Sequence, residues 1–185
     1  MARRHRFVAA ALVLAAAVAT PAGAELKAGA KAPAFTAPAY LAGEPFTFKL
    51  GDALKKGPVV VYFFPAVHTP GCNIEAKLFS DAIGDFKAAG ASVIGISAGK
   101  LDEMAAFSKE TEHCGGKFPV AADTGAKIAA QYDALLPSKP EWSSRTSYVI
   151  ARDGTIVLAY SEMKPHGHVK ETLAAVRALA KPPKP

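Results

Sequence analysis

The period of apolar and polar positions changes several times along the chain, and each change marks an element. Val59–Phe64 (VVVYFF) is apolar at every position, the pattern of a central strand covered on both faces. Ala91–Ser97 (ASVIGIS) repeats that pattern. Between them, Phe79, Ile83 and Phe86 recur at helical spacing while Lys77, Asp81, Asp85 and Lys87 fall elsewhere, which predicts a helix opening on Cys72 and ended by Gly90. Two buried strands joined by a helix are expected to run parallel through a right-handed crossover. Upstream, short strands are predicted around Phe35–Tyr40 and Pro45–Leu50, turning at Ala42-Gly43. Downstream, Leu101, Met104 and Phe107 would be the inward face of a helix near Leu101–Glu112, ended by Gly115-Gly116. Lys117–Ala121 reads as an edge-type strand interrupted by Pro119, and Gly125–Tyr132 as a short helix. Leu136–Ser144 reads as a proline-rich loop carrying the only tryptophan, Trp142. Thr146–Ala151 and Thr155–Tyr160 flank Asp153-Gly154, a strong hairpin signal. Val169, Leu173, Val176 and Leu179 form one face of a closing helix, and the final KPPKP is expected to be unstructured.

The first 24 residues follow another pattern. Met1–Arg6 is cationic, Phe7–Thr20 is apolar, and Pro21-Ala22-Gly23-Ala24 supplies small residues in an A-x-A arrangement. This is the pattern of a signal peptide cleaved before Glu25, leaving residues 25–185 as one domain. The apolar run is shorter than the about 20 residues a spanning helix needs, so no membrane attachment is expected after cleavage. Composition changes the picture little: half the 185 residues are hydrophobic, as in a packed globular core. Of the formal charge of +6, half comes from Arg3, Arg4 and Arg6. No basic run with interleaved aromatics remains to bind nucleic acid. Export to an oxidising compartment, most simply a periplasm, makes a plain structural bridge the first reading of the only two cysteines, Cys72 and Cys114.

The order strand, helix, strand, helix, hairpin and helix resembles the thioredoxin-like plan. It implies an α/β fold, with a central mixed sheet flanked by helices and an N-terminal β extension. Cys72 would then sit at the first turn of a helix, where backbone N–H groups without partners and the helix dipole favour a thiolate. A dithiol oxidoreductase of this plan carries Cys-x-x-Cys at that turn. Here Thr69-Pro70-Gly71-Cys72 puts a hydroxyl in the first position. No disulfide can span such a turn, and the hydroxyl could donate a hydrogen bond to the sulfur or to an oxygen held beside it.

Pro65-Ala66-Val67-His68-Thr69-Pro70-Gly71-Cys72 matches the P-x-x-x-T-x-x-C signature, and on it the chain resembles the peroxiredoxins. With TPGC and Glu75 it is most similar to the peroxiredoxin Q, or bacterioferritin comigratory protein, branch. Lys31-Ala32-Pro33-Ala34-Phe35, VVVYFFP, VIGIS and Arg145-Thr146-Ser147-Tyr148-Val149-Ile150 extend the resemblance over nearly all of residues 25–185. The resemblance implies a thiol-dependent peroxidase acting on hydrogen peroxide and organic hydroperoxides without a cofactor. Cys72 would be the attacking thiolate, converted to a sulfenic acid. Thr69 would position substrate and thiolate, Pro65 would shield the pocket, Arg145 would stabilise the charges, and Glu75 would orient Arg145. The resolving cysteine of that branch lies about five residues after the first, where this chain has Lys77, or in the next helix near Ser108. Cys114 is at neither position but follows that helix closely. It is read as the resolving partner in an intramolecular disulfide opened by an exported thioredoxin-like dithiol, with a spectator or a permanent bridge as alternatives. A monomer or weak dimer is expected.

Two other functions compete. Thr69 weakens a general thiol–disulfide oxidoreductase. A copper-binding thioredoxin-like protein would use His68, Cys72, His113, Cys114, His166 and His168, but no C-x-x-x-C or H-x-x-x-H spacing unites them, and His166-Gly167-His168 is expected to lie exposed ahead of the last helix. Intact-mass analysis of the secreted protein should find Glu25 as its first residue; retention of residues 1–24 would contradict the signal-peptide reading.

Overall fold

The computed structural model describes residues 25–180, so the signal-peptide segment and the KPPKP tail lie outside the described residues. A seven-stranded mixed sheet forms the centre. Its strands are β1 (Thr36–Leu41), β2 (Glu44–Lys49), β3 (Val59–Phe63), β4 (Ser92–Ser97), β5 (Val120–Ala122), β8 (Thr146–Ile150) and β9 (Ile156–Ser161), in the order β2-β1-β5-β4-β3-β8-β9. β3, β4 and β5 run parallel, whereas β8 pairs antiparallel with β3 and β1 antiparallel with β5.

The unbroken apolar run of β3 has a simple cause. Alternate side chains point to opposite faces of a strand, and here both faces are covered. Val59, Val61 and Phe63 join a core with Leu50 and Leu54 of α1 (Leu50–Lys56) and Ile128 and Ala129 of α4 (Lys127–Gln131). Val60, Tyr62 and Phe64 join the opposite core, under α2 (Pro70–Ala88), α3 (Leu101–Lys109) and α5 (His166–Ala180). Tyr62 stacks on Phe79 of α2 at 4.4 Å between ring centroids. It can do so because the neighbouring position on β4 is Gly95, where a Cβ would come within 2.7 Å of the tyrosine ring. β3 is thereby clamped between two hydrophobic layers, and the loop leaving its end has a fixed origin. Ser143 Oγ donates to the Phe64 carbonyl at 2.8 Å and Ser97 Oγ to the Pro65 carbonyl at 3.2 Å, tying that loop down.

Several expectations need correction. β5 is not an edge strand: it lies between β1 and β4, and the N-terminal hairpin supplies the edge that Pro119 had suggested. The Leu136–Ser144 stretch is a small ribbon, β6 (Leu135–Leu136) against β7 (Lys139–Ser143), whose backbone pairing outweighs its prolines. α1 was not anticipated, because Leu50 read as the end of a strand; Leu50 and Leu54, four apart, both turn inward. α3 stops at Lys109, and Leu101 at its start is exposed, as is Leu179 at the end of α5. His166-Gly167-His168 opens α5 rather than preceding it, and His168 is fully buried. No helix among the described residues is long and apolar enough to cross a membrane.

Candidate active site

The loop Pro65–Thr69 carries the chain from the end of β3 into α2, with Thr69 as N-cap and Pro70 in the first turn. Proline suits that position because it has no N–H to leave unbonded. Cys72 precedes the first hydrogen bond of the helix, Asn73 N–H to the Thr69 carbonyl at 2.9 Å. Its own N–H therefore belongs to the end that lacks intrahelical partners. The Cys72 side chain is only 2% exposed.

Arg145, immediately before β8, reaches this sulfur. All its nitrogens are used: Nε donates to the Met163 carbonyl at 2.9 Å, Nη1 to Glu75 Oε2, and Nη2 to Cys72 Sγ at 3.4 Å. Guanidinium geometry is a rigid fork, so anchoring two arms aims the third. The approach needs Gly71, where a Cβ would stand 3.0 Å from Nη2. Burial works against the Arg145 charge, but Glu75 and the Cys72 sulfur hold it in the protonated form.

Glu75 lies one turn beyond Cys72 and is wholly buried. Burial pushes its carboxyl up to about 8, against the pull of Arg145. Its second oxygen, Oε1, has no hydrogen-bond partner and lies 3.5 Å from His168 Nδ1. His168 Nε2 faces the Glu162 carbonyl at 2.8 Å, which requires a proton on Nε2. Burial holds this imidazole below its ordinary value, so the neutral ring accepts at Nδ1 from Ser147 Oγ, 2.8 Å away. Nδ1 has one lone pair, taken by Ser147, so Glu75 Oε1 faces a ring nitrogen already in use while Oε2 receives Arg145. Cys72, Arg145, Glu75, His168 and Ser147 form one buried network linking α2, β8 and α5.

The structure brings together Cys72, Glu75 and Arg145 as the residue types suggested. Glu75 is a buried partner of Arg145. Pro65 is half-buried in the same loop. Thr69 lies there too, but its hydroxyl donates to the Ala66 carbonyl at 3.1 Å and not to the sulfur, which corrects one expectation. With its proton so used, the oxygen is left as an acceptor. Cys114 stands apart. It is fully buried and not in a disulfide, and burial, with Glu110 nearby, raises its thiol well above the usual range. Its carbonyl accepts from Ser80 Oγ at 3.0 Å. Ser80 is eight residues past Cys72 in α2, about 12 Å along the helix axis. His168 was missed as part of this site. Its place one turn before Thr172 and two before Val176, on the buried face of α5, was the available signal.

Comparison with known proteins bears on the family. The AhpC/TSA family model matches residues 28–159. Over 143 residues the chain is 34% identical to the chloroplastic peroxiredoxin Q of Sedum lineare, covering 73% of this chain and 75% of that protein. It is 36% identical over 126 residues to the chloroplastic peroxiredoxin Q of Populus jackii, 68% of this chain but only 58% of that longer protein. The crystal structure of peroxidoxin BcpB from Mycobacterium tuberculosis superposes with a TM-score of 0.74 at 30% identity, over 83% of this chain and 98% of that one.

Two outcomes test the geometry. Gly71→Ala should shift Arg145 Nη2 from the sulfur by a few tenths of an ångström and slow the reaction of Cys72 with hydrogen peroxide, by less than the about 100-fold that an ångström-scale misplacement costs, with the folded state intact; an unchanged rate in stopped-flow mixing would contradict it. For Glu75, folded protein keeps a proton up to about 8 that unfolded chain releases near 4.5. The stability this gives is full below 4.5 and is lost as pH rises through 8. Glu75→Gln should therefore flatten the fall in urea stability between about pH 5 and pH 8, at most about 1.4 kcal/mol per pH unit; equal slopes for both proteins would refute the assignment. The matched family model, the relatives and the shared fold, joined to the buried cysteine–arginine pair, show that the chain belongs to the AhpC/TSA family, the peroxiredoxins, and is a thiol-dependent peroxidase.

Proposed function

We propose that this peroxidase works through Cys72, with Arg145 and Thr69 at the reacting atoms and Glu75 and His168 as positioning residues. The observation that carries the reading is the guanidinium held by Glu75 and Met163 with its remaining arm on the Cys72 sulfur. The Cys72 thiolate attacks one oxygen of the peroxide, an S–O bond forms, the O–O bond breaks, and the other oxygen leaves with the electron pair. A fixed positive group beside the sulfur stabilises both the attacking charge and the charge passing to the leaving oxygen. Thr69 Oγ1, its proton committed to Ala66, accepts the hydrogen bond of the peroxide O–H. Pro65, at the rim of the loop, limits the water that reaches the sulfur.

The product is a Cys72 sulfenic acid, and Cys114 resolves it: the Cys114 sulfur attacks, a disulfide forms and water leaves. A disulfide needs Cα atoms within about 7 Å. Cys114 is anchored two turns along α2 and lies fully buried, so resolution needs the start of α2 to unwind and the Cys114 segment to leave its pocket. Gly115 and Gly116, both at positive φ, give that segment its hinge. An exported thioredoxin-like dithiol would then reopen the disulfide. The A-x-A pattern before Glu25 supports a periplasmic location. The exposed large apolar side chains among the described residues fall on six different segments, which favours a monomer or weak dimer.

Mass mapping after one equivalent of hydrogen peroxide should find a Cys72–Cys114 disulfide that disappears with mild dithiol. Cys72→Ser should abolish peroxide consumption, and Cys114→Ser should react once and then turn over slowly. Unchanged steady turnover in Cys114→Ser would remove Cys114 from the cycle.

A further inference from the structure

The sequence scatters His68, Glu110 and His113, but the fold gathers them. His68 Nε2 lies 3.0 Å from Glu110 Oε2, and His113 Nε2 lies 3.5 Å from the same oxygen. The three donor atoms fall within 4.8 Å of one another. Ligands held at about 2.0–2.2 Å from a zinc ion lie no more than about 4 Å apart. The two carboxylate–imidazole distances already meet that limit, so what remains to close lies between the two imidazole nitrogens, and a small rotation of the His68 side chain, 44% exposed, supplies it. Two imidazole nitrogens and one carboxylate oxygen suit late first-row divalent cations and leave a coordination position for water. His113 is fixed against Phe107, with ring centroids 4.8 Å apart, and His68 meets the same phenyl ring edge-on at 5.4 Å. The donor set is thus held on a packed base. His68 is held at φ +58°, a conformation most side chains avoid.

The position of this cluster is as informative as its chemistry. His68 precedes Cys72 by four residues, in the loop from β3 to α2. Glu110 and His113 lie between α3 and Cys114, with His113 adjacent to that cysteine. We propose that His68, Glu110 and His113 bind a divalent cation of the zinc class, and that occupancy ties the segment leading to Cys72 to the segment leading to Cys114. The binding claim stands on the donor geometry alone. Its consequence rests on the reading of Cys114 as the resolving cysteine, which must leave its burial to meet Cys72. A cation that holds the two segments together opposes that movement and slows disulfide formation.

The test uses tag-free mature protein and Zn2+ as the probe. Cysteine-free Cys72→Ser/Cys114→Ser protein removes the thiolates as rival ligands. Calorimetry should show one Zn2+ per chain, with NMR shifts at the His68 and His113 ring protons. Glu110→Gln, and His68→Asn, whose side chain tolerates the same backbone angle, should each weaken binding by more than about 10-fold, the loss that even outer partners of a metal ligand produce. No binding, or binding unaltered by both substitutions, overturns the site. In wild-type protein, Zn2+ should slow formation of the Cys72–Cys114 disulfide after peroxide, and His68→Asn should abolish the slowing. Equal slowing in His68→Asn overturns the tie between the segments, because the metal would then act on a cysteine directly. Failure of metal-free protein to form the disulfide defeats the resolving role of Cys114 and leaves the binding result intact.

Discussion

The Arg145 fork is the constraint on which the rest depends. A guanidinium is always charged, and bringing it to a sulfur that is 2% exposed means taking it largely out of water. That is tolerable only if its other nitrogens have partners, and they do, in the Glu75 carboxyl and the Met163 carbonyl. Each anchor comes from a different part of the chain. Glu75 belongs to α2, Met163 to the segment between β9 and α5, and Arg145 itself leads into β8. The sheet and its two cores therefore hold three separate segments in register around one side chain. Removing Glu75 would leave a buried guanidinium arm without a partner, at the full cost of desolvating it. Glu75 is in that sense a condition of the site.

Much of this was legible in the sequence because a few strong local signals agreed. VVVYFF and VIGIS could only be buried strands, Asp153-Gly154 only a turn, and the Thr69–Cys72 turn only the start of a helix. What escaped depended on distance along the chain. Pro119 suggested an edge, yet the hairpin of β1 and β2 folds over to pair with β5. Whether a strand is interior is decided by a partner some 80 residues away, not by its own residues. Likewise His168 looked like half of an exposed histidine pair. Its burial follows from how α5 lies across β8 and from Gly167, where a Cβ would come within 2.2 Å of the Tyr160 hydroxyl. Glu75 was expected beside Arg145, but its complete burial is visible only in the fold.

The second cysteine stands in an arrangement that the proposed cycle has to change. Cys114 is packed among hydrophobic side chains, its carbonyl tied to Ser80 and its sulfur kept in the thiol form by burial. Such a group is inert where it stands. In the proposed cycle its use requires a second conformation in which α2 has given up its first turns, and two features would permit this. They are the Gly115-Gly116 segment at positive φ and a helix start secured by a proline rather than by a side-chain cap. The proposed cycle thus makes two separate demands: a rigid pocket for breaking the O–O bond, and a yielding frame for the step that follows.

The central claim is that the positioned charge of Arg145, and not merely the presence of a cysteine at a helix start, makes Cys72 reactive toward peroxide. The direct measurement is the second-order rate of reduced protein with hydrogen peroxide in Arg145→Gln, followed by stopped-flow Trp142 fluorescence beside the wild type. Loss of a preorganised charge of this kind predicts a fall of about 100- to 1,000-fold while the protein remains folded. A folded Arg145→Gln protein that consumed peroxide at the wild-type rate would contradict the account.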